Sequence, residues 1–259
     1  MSYEEFCKAH GFSPPFTEFY GLRKTLCEYL KLKTNEMIQF TVPNIPQFLS
    51  ILLLSPRPGK NVYQNFLKKL YEKPKFETKW EAPLNISLSD EWWRRAHSCA
   101  VNFTNDTKLM WFQIRLTHRI LSTNTFLSKI GVADSQLCSF CGEELEELVH
   151  LYWSCNYVQM LWTSLFHWIN GKTNMSLNLV LEDILFGKFS GPKILNLIIT
   201  LCKYHIYRRR LLKCRPCFDL LKIEINQYYH IEKYIFKTNC KLSDFNIRWA
   251  PMVLLFADL

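Results

Sequence analysis

The spacing C-x2-C-x8-H-x4-C, formed by Cys138, Cys141, His150 and Cys155, restricts the fold of this chain more than any other feature. Thiolate and imidazole groups are the ligands that a soft divalent ion such as Zn²⁺ prefers, and a structural zinc site takes four of them. Two cysteines separated by two residues can reach one ion from a tight turn, and Gly142 tolerates the positive φ of such a turn. The pattern therefore predicts a zinc-knuckle-like turn, followed by a helix that supplies His150 and Cys155.

The alternative is that these residues are ordinary buried cysteines and a core histidine. A complete ligand set at such compact spacing favours the metal site. The chain has ten cysteines. Its first residues, Met1–Glu5, show no secretory signal, and no apolar stretch is long enough to cross a bilayer. We therefore expect an intracellular protein, in the nucleus or cytoplasm, with no membrane partner and with reduced cysteines that are free to bind metal.

The 259 residues, 48% of them hydrophobic, are enough for a substantial core. Apolar residues recur at three- and four-residue steps in most of the chain, and no alternating strand pattern is convincing. Helices are predicted after Ser89, after Asp106 or Thr107, after Cys155 and after Pro192. The sequence therefore predicts a mostly α protein, an irregular helical assembly with a small CCHC zinc-knuckle-like turn–helix unit.

Three segments complete this prediction of secondary structure. Residues 41–60 are interrupted by prolines and are expected to form turns around one short helix. Lys73–Pro83 is interpreted as a connection. Glu143–Trp153 is predicted to be the helix of the metal unit, with Leu145 on its apolar face.

The net charge of +9 is concentrated near the carboxyl terminus. From Gly191 onward there are twelve basic and five acidic residues, a net charge of +7. A polyanion such as a nucleic acid is the partner that fits this excess, because lysine and arginine release counterions from phosphates.

Two sets of residues are candidates for contacting that polyanion. The first is the basic cluster around the predicted end of the Pro192 helix, with two tyrosines that could stack on unpaired bases. Its members are Lys203, Tyr204, Tyr207, Arg208, Arg209, Arg210, Lys213 and Arg215. The second set, on the helices before the metal segment, is Arg115, His118, Arg119 and Lys129. The alternative is a solvated helix face, with the tyrosines in the core. Trp111, like most of the other tryptophans, is expected to serve in packing.

A second C-x2-C pair, Cys214 and Cys217, has no clear partner pair. His205, Cys202 and Cys240 could complete a ligand set, but we favour a structural role for these residues.

The metal segment and its flanks resemble a known family. It follows the stretch Leu109–Gly131 and precedes Asp183–Gly187, Ile206–Arg210 and Phe245–Trp249, and Phe16–Arg23 fits upstream. This ordered set resembles the carboxy-terminal zinc-binding region of a LINE-1-like non-LTR retrotransposon reverse transcriptase polyprotein. The resemblance covers nearly the whole chain and is specific over residues 109–187.

The resemblance implies a segment that binds nucleic acid, with Cys138, Cys141, His150 and Cys155 as the zinc ligands. It suggests RNA in preference to duplex DNA, and other reverse transcriptase parts of the same polyprotein as further partners. The sequence has neither the Asp-Asp pair that a polymerase needs for its two metals nor the family's endonuclease, so we expect no enzyme activity and no small-molecule substrate.

Four segments are therefore predicted: a helical remnant following the reverse transcriptase (1–100), a helical connector (101–135), the CCHC zinc-binding segment (136–170) and a basic helical region (171–259). The leading hypothesis is a non-catalytic module that binds zinc and RNA or single-stranded nucleic acid. The alternatives are a zinc-stabilised protein-interaction module and a truncated remnant with no selected function.

Overall fold

The computed structural model describes residues 2–29, 58–70, 74–85, 87–173 and 175–256. By compactness the chain divides into two units, Met1–Glu72 and Lys73–Leu259. The division into four segments (1–100, 101–135, 136–170 and 171–259) that we expect from the sequence stays a prediction. Most of the predicted turn region, 41–60, lies outside the described residues.

The first unit contains α1 (Tyr3–His10), α2 (Phe16–Tyr29) and α3 (Pro58–Leu70). Ser2 caps α1 in a capping box with Glu5, because each side chain accepts a hydrogen bond from the other residue's backbone N–H. The rings of Tyr3 and Phe16 lie 5.4 Å apart, so α1 and α2 meet through aromatic contacts.

The second unit contains nine further α-helices, a π-helical turn and a 3-10 helix in its described part. They are α4 (Lys75–Leu84), α5 (Asp90–Asn102), α6 (Thr107–Thr117), α7 (Asn124–Lys129), the π turn (His150–Ser154), α8 (Asn156–Lys172), α9 (Leu181–Phe186), α10 (Lys193–Leu211), α11 (Phe218–Thr238), α12 (Leu242–Trp249) and the 3-10 helix (Ala250–Phe256).

The prediction of a mostly α fold is confirmed. Within the described ranges the β-type pairing is one isolated antiparallel bridge, between Leu137 and Leu145. The predicted helix starts are also found: Ser89 accepts a hydrogen bond from the backbone N–H of Trp92, and Asp106 caps α6. None of the helices in the described part is both long and apolar enough to cross a membrane.

The prediction that Lys73–Pro83 is a connection is wrong, because residues from Lys75 form α4. Trp80 is fully buried, and its indole N–H donates to the carbonyl of Thr117 at 2.8 Å. Pro83 lies inside the last turn of α4 and cannot donate to the carbonyl of Lys79, four residues earlier. Arg119 donates to that carbonyl at 2.9 Å instead, so a side chain from outside the helix replaces the missing bond.

Helix α10 lies at the centre of the second unit. It packs against α6, α11 and the π turn, and most positions from Ile194 to Arg210 are buried. A helix that is buried on all sides has no solvent-facing stripe in its first turns, which explains its continuous apolar sequence. The hydrophobic core that contains the buried apolar residues of α10 also includes Cys138 and Cys155, so the metal segment belongs to the core of this unit.

Candidate metal centre and basic surface

The first two candidate ligands lie on a tight turn. The backbone N–H of Gly142 donates to the carbonyl of Cys138 at 2.9 Å, and the N–H of Cys138 donates to the carbonyl of Glu144 at 2.8 Å. Gly142 has a φ of 71°, the left-handed conformation that the sequence predicted for it. The N–H of Phe140 also points at the sulfur of Cys138, at 3.4 Å.

The other two candidate ligands lie at the two ends of the π turn: His150 is its first residue, and Cys155 directly follows its last. The prediction of a helix over Glu143–Trp153 is wrong in its first part, because Leu145 forms the isolated antiparallel bridge with Leu137 and is exposed. The π turn follows, and the N–H of Cys155 donates to the carbonyl of His150 at 3.0 Å. This wider i→i+5 closure places the two ligands next to each other at the start of α8.

The ligand atoms of Cys138, Cys141, His150 and Cys155 all lie within 4.8 Å of one another. The sulfurs of Cys138 and Cys155 are 3.9 Å apart, and the Cys141 sulfur is 3.5 Å from Nε2 of His150. Around a tetrahedral zinc the corresponding separations are about 3.8 Å between two sulfurs and about 3.6 Å between sulfur and nitrogen. These two separations match those around a tetrahedral zinc, so the four side chains are suited to bind one zinc ion.

The histidine is also oriented for a metal. Nδ1 of His150 lies 2.8 Å from a carboxylate oxygen of Glu144, to which it can donate, with the hydroxyl of Ser154 at 3.4 Å. With its proton on Nδ1, the ring leaves the Nε2 lone pair directed at the cluster. A carboxylate on the far side of a ligating histidine is the usual second contact in zinc proteins.

The two buried thiols influence each other directly. The hydrogen bond from Cys138 lowers the pKa of the Cys155 thiol, and the backbone N–H groups of Tyr157 and Val158 act in the same direction. The same hydrogen bond and burial raise the pKa of Cys138. Cys155 lies at the N-terminus of α8, where the helix dipole stabilises negative charge and acts in the same direction.

A buried ion pair attaches the knuckle to α10. Nε of Arg210 donates to Glu146 at 2.6 Å, and the two side chains are 5% and 0% exposed. Glu146 also accepts hydrogen bonds from the backbone N–H groups of Asn124 and Ser139, both at 2.8 Å. Since Ser139 lies between Cys138 and Cys141, this network runs from α10 to the candidate metal ligands. Glu146 was not predictable as a structural residue, because in the sequence it is one of four closely spaced glutamates with nothing to distinguish it.

Arg210 is therefore removed from the predicted nucleic-acid contacts, because a buried, paired guanidinium cannot reach a phosphate. Lys203 is also removed from the predicted nucleic-acid contacts, because its ammonium group is buried and hydrogen-bonded inside the protein. It is 1% exposed, and its ammonium group donates to Gln113 at 2.5 Å and to the carbonyl of Leu185 at 3.2 Å. Burial lowers the pKa of Lys203 to about 7.

This buried lysine predicts a specific pH dependence of stability. Below pH 7 Lys203 is protonated in both states, so it gives no slope. Between pH 7 and the ordinary lysine pKa of about 10.5, the unfolded chain binds one more proton than the folded chain. The free energy of unfolding should therefore rise with pH in this window, by up to about 1.4 kcal/mol per pH unit from this group.

The measurement is urea unfolding from pH 6.5 to 9.5, in steps of about one unit and at saturating zinc. Lys203→Met should remove the contribution, so that its curve is flatter than that of the unmodified chain. Lys213→Met is the matched control, because Lys213 is exposed, and it should keep the original slope. Equal slopes for the Lys203 variant and the unmodified chain would contradict the prediction.

The remaining members of the basic cluster lie at or near the surface. Arg208, Lys213 and Arg215 are exposed and Arg209 is partly exposed. Arg208 is 3.4 Å from Glu224, and the guanidinium of Arg215 lies 4.1 Å from the ring centre of Tyr157. This exposed set, Arg208, Arg209, Lys213 and Arg215, is called the α10 basic cluster below.

The tyrosines and the second basic set are divided between packing and surface. The rings of Tyr204 and Tyr207 lie 5.3 and 5.6 Å from that of Phe112, so both are partly buried between α6 and α10. Arg115 is exposed. Arg119 is held in the structure by the carbonyl of Lys79 and by the ring of Trp80 at 4.4 Å, which leaves it little freedom to contact a ligand.

The second cysteine pair does not form a further metal cluster. His205 is buried between Glu224, 3.1 Å from Nδ1, and the backbone N–H of Cys217, 3.2 Å from Nε2. Both ring nitrogens are thus engaged. In the described part of the chain the only group of three or more metal-ligating side chains is the Cys3His cluster.

The fold and the site define a mostly α protein with a candidate Cys3His metal centre in its core. No protein-family model matches the chain.

Proposed function

We propose that this chain is a non-catalytic, zinc-stabilised module that binds RNA or another single-stranded nucleic acid. The observation that carries the proposal is the buried ion pair between Glu146 and Arg210. It joins the metal segment to the helix that ends in the α10 basic cluster, so the ion that orders the knuckle also fixes the position of exposed cations.

Zinc is the ion that best fits the donor set. Three thiolates and one imidazole suit a borderline-soft ion and not magnesium or calcium, which prefer oxygen ligands. Four protein ligands would fill a tetrahedral zinc, so the ion would contribute folding energy and leave no coordination position for a substrate. The proposed role of the site is therefore structural.

The α10 basic cluster suits phosphates. Its four cations lie within eight residues, with Glu224 as a nearby carboxylate. Contacts of this kind depend on charge and not on base sequence, so we expect binding with little sequence preference and strong dependence on salt.

The proposed origin is a LINE-1-like retrotransposon reverse transcriptase polyprotein. Its support is the sequence resemblance over residues 109–187, in which the four ligands match the family's zinc ligands one by one. The absence of the paired aspartates of a polymerase from the sequence supports a module without catalytic activity.

The test is a salt titration of the zinc-loaded chain with a fluorescent single-stranded RNA of about 20 nucleotides, a length that exceeds one typical single-strand site. The logarithm of the association constant should fall linearly with the logarithm of the salt concentration. Arg208→Gln with Lys213→Gln should reduce the slope by about 1.4, since each single-strand phosphate contact contributes about 0.7.

The matched control is Lys75→Gln with Arg94→Gln. These exposed cations on α4 and α5 lie outside the proposed surface, so the slope should not change. Absence of RNA binding by the zinc-loaded chain, or affinity that is the same at low and physiological salt, would reject the proposal.

A second candidate function, a zinc-stabilised protein-interaction module, is favoured by the surface of α11. Leu220, Ile223, Ile231 and Tyr234 are exposed and recur at helical spacing along that helix. If the zinc-loaded chain binds no RNA but unfolds cooperatively, this second function becomes the better explanation of the fold.

A further inference from the structure

Trp111 is unusually exposed for a tryptophan. All eight tryptophans lie in the described part of the chain, and Trp111, at 57%, is the only one among the exposed large hydrophobic side chains. Trp80, Trp93 and Trp249 are at 2% or less. The sequence interpretation of Trp111 as a packing residue is therefore wrong, and its exposed indole needs another explanation.

Trp111 lies between two cations on the same face of α6. Lys108, Trp111 and Arg115 are spaced i, i+3 and i+7, so they form one stripe, while Leu109 and Leu116 point into the core. Among the described residues, no carboxylate lies within 4.0 Å of the cationic group of Lys108 or Arg115.

The face continues onto α10. The ammonium group of Lys108 is 5.2 Å from the centre of the Tyr204 ring. Tyr204, Arg208 and Leu211 are spaced i, i+4 and i+7, so they lie on one side of α10, and Arg208 is a member of the α10 basic cluster. The Trp111 face, defined as Lys108, Trp111, Arg115 and Tyr204, is thus connected to the cations of the proposed function by neighbouring side chains.

We infer that the Trp111 face is a stacking site for an unpaired nucleic-acid strand. The indole would stack on one base, and Lys108 and Arg115 on either side would contact the flanking phosphates. Every base has a flat face that can stack on an aromatic ring, but bases within a duplex are already stacked on their neighbours. This site would therefore select single strands without selecting sequence. The inference rests on the proposed function and extends it from phosphate contact to base contact.

A protein partner fits this face less well. An apolar contact with a protein would bury Lys108 and Arg115 without a carboxylate from this chain to pair with them, which is unfavourable. A nucleic-acid strand supplies both phosphates to pair with the two cations and a flat base to stack on the indole.

The experiment measures the affinity of the zinc-loaded chain for single-stranded RNA and for a duplex of the same sequence. Trp111→Ala should weaken single-strand binding roughly 5- to 150-fold, which corresponds to the loss of one base–aromatic stack. Trp111→Phe should keep most of the affinity, because a smaller ring still stacks. Duplex binding should change much less than single-strand binding.

Tyr234→Ala is the matched control, since Tyr234 is an exposed aromatic residue on α11, at 69%, outside the Trp111 face. It should leave the affinity unchanged. The salt dependence adds a second readout: Trp111→Ala should keep the slope of the unmodified chain, whereas Arg115→Gln should reduce it by about 0.7.

The outcomes separate this inference from the proposed function. If Arg208→Gln with Lys213→Gln weakens RNA binding but Trp111→Ala does not, the stacking site is rejected and the proposed function stands. Equal losses for the Trp111 and Tyr234 variants, or equal losses for single strand and duplex, also reject it. If the unmodified chain binds no RNA, both are rejected.

Discussion

Cys138→Ser and His150→Ala should each abolish stoichiometric zinc binding and unfold the knuckle. In both variants one of the four ligands is lost, and the remaining three cannot close a tetrahedral site. Cys138 and Cys155 are 3% and 0% exposed and belong to the hydrophobic core, so the loss cannot stay local.

The expected effect is large in comparison with the stability of a domain. Structural zinc contributes on the order of 10 kcal/mol in small zinc-binding peptides at neutral pH, whereas a whole domain is stable by roughly 5–15 kcal/mol. A chelator should therefore lower the melting temperature of the unmodified chain sharply or remove its cooperative transition.

The measurement is metal analysis of the purified protein, combined with thermal unfolding before and after chelation. Cys214→Ser is the matched control: it alters the exposed cysteine of the second C-x2-C pair and should retain one zinc per chain. An unchanged metal content in Cys138→Ser or His150→Ala, or an equal loss in Cys214→Ser, would show that the four residues are not the ligands.

Arg210→Met should destabilise the second unit by about 3–5 kcal/mol, the usual cost of removing one partner from a buried ion pair. The Glu146 carboxylate would remain fully buried without its cation, 2.6 Å from where Nε of Arg210 had been. Because Ser139 donates to the same carboxylate from between two ligands, the variant should also lose zinc to a chelator faster.

A double-mutant cycle isolates this pair. Glu146→Gln combined with Arg210→Met removes both charges of the pair, so the double variant should be more stable than Arg210→Met alone. Arg208→Met changes an exposed arginine of the same helix and should shift the free energy of unfolding by less than about 0.5 kcal/mol. Comparable losses in Arg208→Met and Arg210→Met, measured by urea unfolding, would contradict a special role for Arg210.

Helices with a clear polar face were predictable from the sequence. The helix after Cys155 is one example: Val158, Leu161, Trp162 and Leu165 repeat at helical spacing, and all are buried in α8. The helix that Asp106 caps is another. In both, the apolar stripe lies within the segment itself, and the Asp106 side chain also caps α6, so no distant contact is needed to specify the element.

Segments stabilised by distant contacts were not predictable. Helix α4 depends on the burial of Trp80 and on Arg119, which replaces the hydrogen bond that Pro83 cannot make. The extended segment at Leu145 depends on its isolated backbone bridge with Leu137. In each case a partner in another segment outweighs local propensity, and local periodicity does not report that partner.

The four candidate metal ligands were identifiable from the sequence alone, because their residue types and spacing match those of a metal site and the compact turn brings them together. The tertiary structure alone decided which cations and aromatic rings face solvent. Arg208 is exposed, whereas Arg210, two residues later, is buried against Glu146. The cationic Lys203 is buried, whereas the aromatic Trp111 is exposed. The physical reason is that α10 is surrounded by other elements, so the direction of each side chain depends on neighbours that lie far away along the chain.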